Sequence, residues 1–324
     1  MMTSSSSLSP KTLSFAPARW LSVVHETRYD YAPPVELGHH LGWLLPRSTP
    51  RQQVRGWQLH ISPAPDEWLQ AGVGESGPVP PGQLHEDVFG NRWLAFSHSR
   101  RHEQLRVTSR FEAGVGWVPG LSPQLSPAWS QVAEGLRYHA GATRSEAVEF
   151  SLASPCVPLS PALAAFGREA FNTPDVPLLA GAQRLMKLVH QRIAYVPGST
   201  TVYTRAPEAL AGGQGVCQDL AHVMMGALRA LGLSARYVSG YLLTLPPPGM
   251  PKLVGADASH AWVEVWCPLH GWVALDPTND LVVGPDHVTL AWGRDYADVA
   301  PLRGMINGGA RAEPLVSVNV EACG

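Results

Sequence analysis

The stretch GQGVCQDLAH, residues 213–222, decides how this chain is read. Two glycines precede a lone cysteine, and a helical pattern follows. From Cys217 the apolar positions Leu220, Ala221, Met224, Leu228 and Leu231 fall on one face of an α-helix, and Gly232 supplies a stop signal. Cys217 is therefore expected in the first turn, where free amides and the helix dipole favour negative charge and can lower a thiol's pKa. Gly213 and Gly215 allow a tight turn and a close approach of substrate. Taken alone, the stretch favours packing, because cysteine is among the residues most often buried. Structural zinc is not indicated. Cys217 and His222 do not share a helical face, and CxxC and HExxH are absent.

A nucleophilic cysteine needs a base, and the base needs an orienting group. Downstream lies SHAWVEVWCPLHGWVALDPTND, residues 259–280. It reads as two strands joined by a short connection, hence an antiparallel hairpin. With Cys267 opposite Gly271, Trp262 faces Asp276 and His260 faces Thr278. His260 and Asp276 then become diagonal neighbours on one face. A slip of one residue would put them on opposite faces. In the first register Asp276 fixes the tautomer of His260 and favours its imidazolium form. The competing reading is a tryptophan-rich core hairpin, with Asp276 as turn chemistry before Pro277. A helix-start cysteine, a strand-start histidine and an aspartate on the next strand together favour a Cys-His-Asp triad.

Away from these segments the chain has an ordinary composition for a folded protein. Hydrophobic residues make up 45% of its 324 positions, enough for a buried core. A net charge of −2 gives no electrostatic case for nucleic acid or an anionic membrane surface. No apolar run is long enough to span a bilayer, and MMTSSSSLSPKTLSFAPARW lacks the apolar core of a signal peptide. The cysteines Cys156, Cys217, Cys267 and Cys323 are scattered, as free thiols in a reducing compartment would be, so a cytoplasmic protein is expected.

Residues 1–17 are Ser- and Pro-rich and expected to be disordered. Residues 18–160 read as a β-rich domain. WLSVVHETRYDY alternates and stops at Pro33-Pro34, while VRGWQLHISP and EQLRVTSRFEA alternate in turn. DVFGNRWLAFS places a Gly90-Asn91 turn among aromatics, and a β-sandwich-like arrangement is expected. Residues 161–290 carry the helices and strands of the candidate core, beginning with a helix over LLAGAQRLMKLVHQRI. Residues 291–324 form an extension ending in an edge strand, EPLVSVNVEA.

GGQGVCQDLAHVMMGALRALGLSARYVSGYL, SHAWVEVW and GWVALDPTND closely resemble the transglutaminase-like superfamily, with its papain-like core. VVHETRYDYAPPVELGHHLGWLLPR and DVFGNRW resemble the N-terminal region of bacterial members, and HVTLAWGRDYADVAPLRG the segment after their core. The resemblance implies an α+β fold in which the helix bearing the cysteine packs on an antiparallel sheet. It assigns Cys217 as nucleophile, His260 as base and Asp276 as orienting acid. Members of this type are also similar at Gln218 and Asp219, and Asp219 is a candidate oxyanion or substrate contact.

For the oxyanion, the Cys217 amide is the natural first donor and Gln214 a candidate second. Tyr241 is a candidate to reach the site. Trp262, Trp266 and Trp272 are candidates to wall a cleft, against the commoner role of core packing. Arg294, Asp295 and Tyr296 are candidates for its rim, against a bracing role. No EF-hand-like acidic loop is present, so neither calcium nor another cofactor is carried over. The expected chemistry is cleavage or transfer of a peptide or amide acyl group through a cysteine thioester, with hydrolysis favoured. The alternatives are protein cross-linking and a catalytically silent papain-like binding module.

Overall fold

The structure, a computed structural model, describes residues 16–69, 84–116, 121–137, 145–244, 259–310 and 312–323. Residues 1–15 of the Ser-rich start and residues 245–258 lie outside this set. Apolar-polar alternation builds the first sheet. In β1 (Arg19–Gly42), Leu21, Val23, His25 and Thr27 point inward, and the residues between them are more exposed. β2 (Gln52–Ser62), β3 (Glu67–Trp68), β4 (His85–Glu86), β5 (Arg92–His98) and β6 (His102–Val115) join the same hydrogen-bonded network. Its long strand serves both halves: β6 pairs mainly with the first part of β1 and β5 with the second. Leu59, Ile61, Leu105 and Val107 gather with Leu94 and Phe96 in a core of their own.

β1 does not stop at Pro33-Pro34 as the sequence suggests. The prolines lie where pairing with β6 lapses, between Asp30 and Val35, so their missing N–H groups interrupt no ladder on that side.

The helices follow: α1 (Trp129–Leu136), α2 (Pro161–Ala170) and α3 (Leu178–Arg192). β7 (Ala194–Tyr195) leads to α4 (Ala206–Gly212) and pairs in parallel with β8 (Gln214–Gly215). Then comes α5 (Cys217–Ala230). The sequence pattern assigns α5 one apolar face, yet every residue from Gln218 to Arg229 is buried. α5 is a central helix, packed between α2, α3 and α4 and the strands of the second sheet. Its buried arginine is satisfied internally. The Arg229 guanidinium donates to the carbonyls of Phe150, Ala235 and Arg294 and to Ser154 Oγ.

The second sheet comprises β9 (Ala235–Leu242), β10 (Ser259–Cys267), β11 (Gly271–Asp276), β12 (Leu281–Val282) and β13 (His287–Gly293). Its spatial order is β12-β11-β10-β9-β13, and all neighbours are antiparallel. After α6 (Tyr296–Val299) the chain returns to the first sheet. β14 (Leu302–Gly308) and β15 (Leu315–Cys323) both pair with β1, and β15 lies along its outer edge from Trp20 to Arg28.

Two side-chain amides join the halves. β13 is an edge strand, and Gln52 bonds both backbone groups of its Thr289, accepting from N at 2.8 Å and donating to O at 2.7 Å. Asn91 treats Trp292 in the same way, at 3.0 Å and 2.8 Å. The free edge of the second sheet is thereby occupied by the first. Beside it the Trp292 ring has two guanidiniums over it, Arg47 and Arg236, each 3.6 Å from its centroid.

Candidate active site

Cys217 is the first residue of α5, half-buried, among amides for which a helix has no internal acceptor. Its local geometry is set by Asp219. This carboxylate reaches back to accept from the Val216 amide at 2.8 Å and from Thr200 Oγ1 at 2.6 Å. Burial raises the Asp219 pKa, and its Oδ1 has no partner among the described residues. Gly215 makes room for this cap, since a Cβ there would lie 2.6 Å from the Asp219 Cβ. Asp219 is thus a helix brace rather than a substrate contact, and the close approach at Gly215 is to that brace. Gln214, a candidate oxyanion donor in the sequence, is exposed in β8 and does not line the cleft around Cys217.

The hairpin has the register that sets Cys267 across from Gly271, with Val263 across from Leu275. His260 and Asp276 consequently share a face, and His260 Nε2 donates to Asp276 Oδ2 at 2.7 Å. That leaves Nδ1 to face the cleft that His260 shares with Cys217, whose sulfur is near enough to favour the charged imidazole. The three candidate residues thus come together at one cleft. Asp276 is fully buried and held by further donors: the amides of Thr278 and Asn279 on Oδ1, and Asn279 Nδ2 on Oδ2 at 2.7 Å.

A residue the sequence reading missed also joins it. His287, at the start of β13, donates from Nε2 to the same Oδ2 at 3.1 Å. Its position in the quoted segment HVTLAWGRDYADVAPLRG was the available signal, but nothing local connects it to a carboxylate with two strands in between.

These contacts set the charges. Burial opposes the charged form of His260, but the Asp276 carboxylate and the Cys217 sulfur outweigh it and raise the imidazole to about 9. Burial also opposes ionisation of Asp276. The bonds from His260 and His287 overcome that and hold the carboxyl well below the usual carboxylate range.

The cleft holding Cys217 and His260 has a volume of about 310 Å³. One wall comes from the second half of the chain, including Gln218, Tyr237, Ser239 and Tyr296. The opposite wall comes from the first sheet: His25, Thr27 and Tyr29 of β1, with Pro314 and Val316 at β15. Tyr241 does not reach the cleft. It is buried, and its hydroxyl bonds His25 Nδ1 at 2.8 Å, bracing that wall. Trp262 does not wall it either. Its buried ring packs against His260 and His287 and borders a second cavity of about 570 Å³. Of the expected rim, Tyr296 lines the cleft. Asp295 is buried and caps α6, and Arg294 pairs with Asp298.

One group among the described residues offers a metal three ligand atoms: His260, Asp276 and His287, within 4.8 Å of one another. The fit is poor. A ligating histidine normally donates its other ring N–H, and His287 Nδ1 is buried without a partner among the described residues. No helix among the described residues is long and apolar enough to cross a membrane.

Residues 164–277 match the profile of the Transglutaminase-like superfamily, and residues 21–76 that of the Bacterial transglutaminase-like N-terminal region. An uncharacterised protein of Mycobacterium tuberculosis is 36% identical over 292 residues, spanning 88% of this chain and 86% of that protein. A protein-glutamine gamma-glutamyltransferase of Pseudomonas aeruginosa is 34% identical over 139 residues, 38% of this chain and 20% of that protein. The crystal structure of a candidate cysteine protease from Cytophaga hutchinsonii superposes with a TM-score of 0.70 at 18% identity. It covers 95% of this chain and 91% of that one, a likeness of fold.

Proposed function

Because this chain belongs to the transglutaminase-like superfamily, we propose that it is a thiol-dependent enzyme that cleaves a peptide or amide bond through Cys217, His260 and Asp276. The observation that carries this reading is the meeting of the three in one place: Cys217 and His260 line one cleft, and the imidazole is bonded to the buried Asp276 carboxylate at 2.7 Å. Cys217 Sγ attacks the carbonyl carbon as the thiolate, with its proton held on His260. The tetrahedral oxyanion faces the Cys217 amide. His260 passes the proton to the departing nitrogen as the C–N bond breaks, leaving a thioester. Water then gives a proton to His260 and attacks the thioester, which releases the acid and restores the thiol. Asp276 stays ionised throughout. Such proton transfer contributes roughly 10²–10⁴-fold.

Hydrolysis is favoured over transfer because the cleft rim is open to water: Tyr195 is 52% exposed and Val202 45% exposed. Transfer to an amine is the second reading, motivated by the similarity to a glutamyltransferase over the core. A panel of peptides and amides, with and without a primary amine, distinguishes them by product mass. Acid alone means hydrolysis, and an added-amine mass means transfer. Cys217→Ala is expected to abolish both. If iodoacetamide labels Cys217 equally fast with and without His260, the enzymatic reading fails and a silent binding module replaces it. We further place the protein in the cytoplasm, on the strength of its four free cysteines. Recovery from an extracytoplasmic fraction overturns that placement.

A further inference from the structure

We propose that His287 is a positioning residue of the triad, fixing the rotation of the Asp276 carboxylate so that Oδ2 meets His260. The inference rests on the catalytic reading above and adds a fourth side chain to it. Two observations carry it. First, Asp276 Oδ2 is shared: His260 Nε2 lies at 2.7 Å and His287 Nε2 at 3.1 Å. An ionised carboxylate only accepts, so His287 must carry its proton on Nε2. Its Nδ1 is buried and unpartnered among the described residues. The one polar contact of this side chain is therefore spent on the triad.

Second, the contact is long-range. β11 and β13 are separated by β10 and β9. In a flat sheet three interstrand steps would hold them roughly 14 Å apart, farther than the two side chains span. The sheet must curl for them to meet, and the residue at the crossing allows it. Gly240 is opposite His260 in the ladder, and a Cβ on it would lie 2.1 Å from Val288 O and 2.4 Å from the Trp262 ring. Trp262 stands edge-on to His287, with centroids 5.3 Å apart, and closes the other side. The ionisable groups facing His287 are Asp276 and His260.

Asn279 and two amides also hold the carboxylate, but all three belong to the same short turn. Apart from His260, the partner it must meet, His287 is the side chain among the described residues that ties it to a different strand. Without that tie the turn and its carboxylate move together, and His260 loses a fixed partner for its proton.

The test needs no substrate. The rate of Cys217 alkylation by iodoacetamide is followed against pH, read at the Cys217 peptide by mass spectrometry. For His287→Phe, which keeps a ring and removes the donor, the acid limb is expected to move up by about one pH unit, a tenfold slower reaction on that limb. The alkaline plateau is expected to stay unchanged, which simple loosening of the fold would not give. His287→Gln, which retains an N–H donor, is expected to recover most of the rate. In the unmutated protein, ¹⁵N NMR of the His287 ring is expected to show Nε2 protonated and Nδ1 bare, a readout that does not depend on a variant folding. An unshifted His287→Phe profile, or the opposite tautomer, overturns the proposal while leaving the triad standing. If His260→Ala reacts like the unmutated protein, the triad reading falls and this inference with it.

Discussion

His260 is held protonated up to about pH 9 by its neighbours, well above an ordinary imidazole at 6.5. Two consequences follow with opposite observables. The proton donor for the leaving amine is lost as pH rises through 9, so amide turnover is expected to decline on that limb. The charged pair also stabilises the fold. This contribution is complete below pH 6.5 and disappears between 6.5 and 9. Asp276→Ala removes the anchor and is expected to slow turnover by about 10²–10⁴-fold, measured on any substrate the panel finds.

The pairing of His260 with Asp276 was legible in the sequence because a short connection allows few registers and only one parity puts both side chains on one face. Gln214, Asp219, Tyr241 and Trp262 were not legible. Proximity in sequence to Cys217 or His260 says nothing about which way a side chain points. Asp219 turned to cap its own helix, Tyr241 turned toward His25, and Trp262 filled the space behind the imidazole.

At the scale of elements, the periodic segments were read well and the buried ones less so. α5 gives a clear helical stripe, yet it is enclosed on all sides, because Gln218, His222 and Arg229 are polar residues that find hydrogen-bond partners inside the protein. A stripe argument counts them as surface. β1 was cut short because prolines usually end strands, whereas here they occupy a gap in pairing. The covering of β13 by Gln52 and Asn91 was invisible, since side-chain amides standing in for a strand leave no periodic trace. Gln52→Ala or Asn91→Ala leaves backbone groups of β13 without partners, and each is expected to cost about 1–3 kcal/mol in denaturant melts. Gly240→Ala forces a methyl onto the Val288 carbonyl. It is expected to cost about 3 kcal/mol or more and to separate β9 from β13, seen as faster amide exchange along both strands.

Across the whole molecule, three buried imidazoles make the fold sensitive to acid. His25, His40 and His222 are each lowered to about 4, chiefly by burial, with His98 and His102 adding to the effect at His40. In the unfolded chain they take up protons near pH 6.5, and in the fold they resist until about 4. Between those values the unfolded state binds more protons, so stability falls as pH falls, by about 1.4 kcal/mol per pH unit for each imidazole. Urea melts at pH 7 and pH 5 check this. His25→Gln is expected to flatten the slope.

The two amides along β13 have a further consequence for anyone dissecting this protein. The strand they hold carries His287 at its inner end, so the N-terminal sheet acts as a splint for the very strand that leans on Asp276. A fragment beginning near residue 161 would keep its thiol, its imidazole and its carboxylate, yet arrive with one side unset. Grafting this core onto a foreign scaffold would call for a replacement splint before any change to the chemistry.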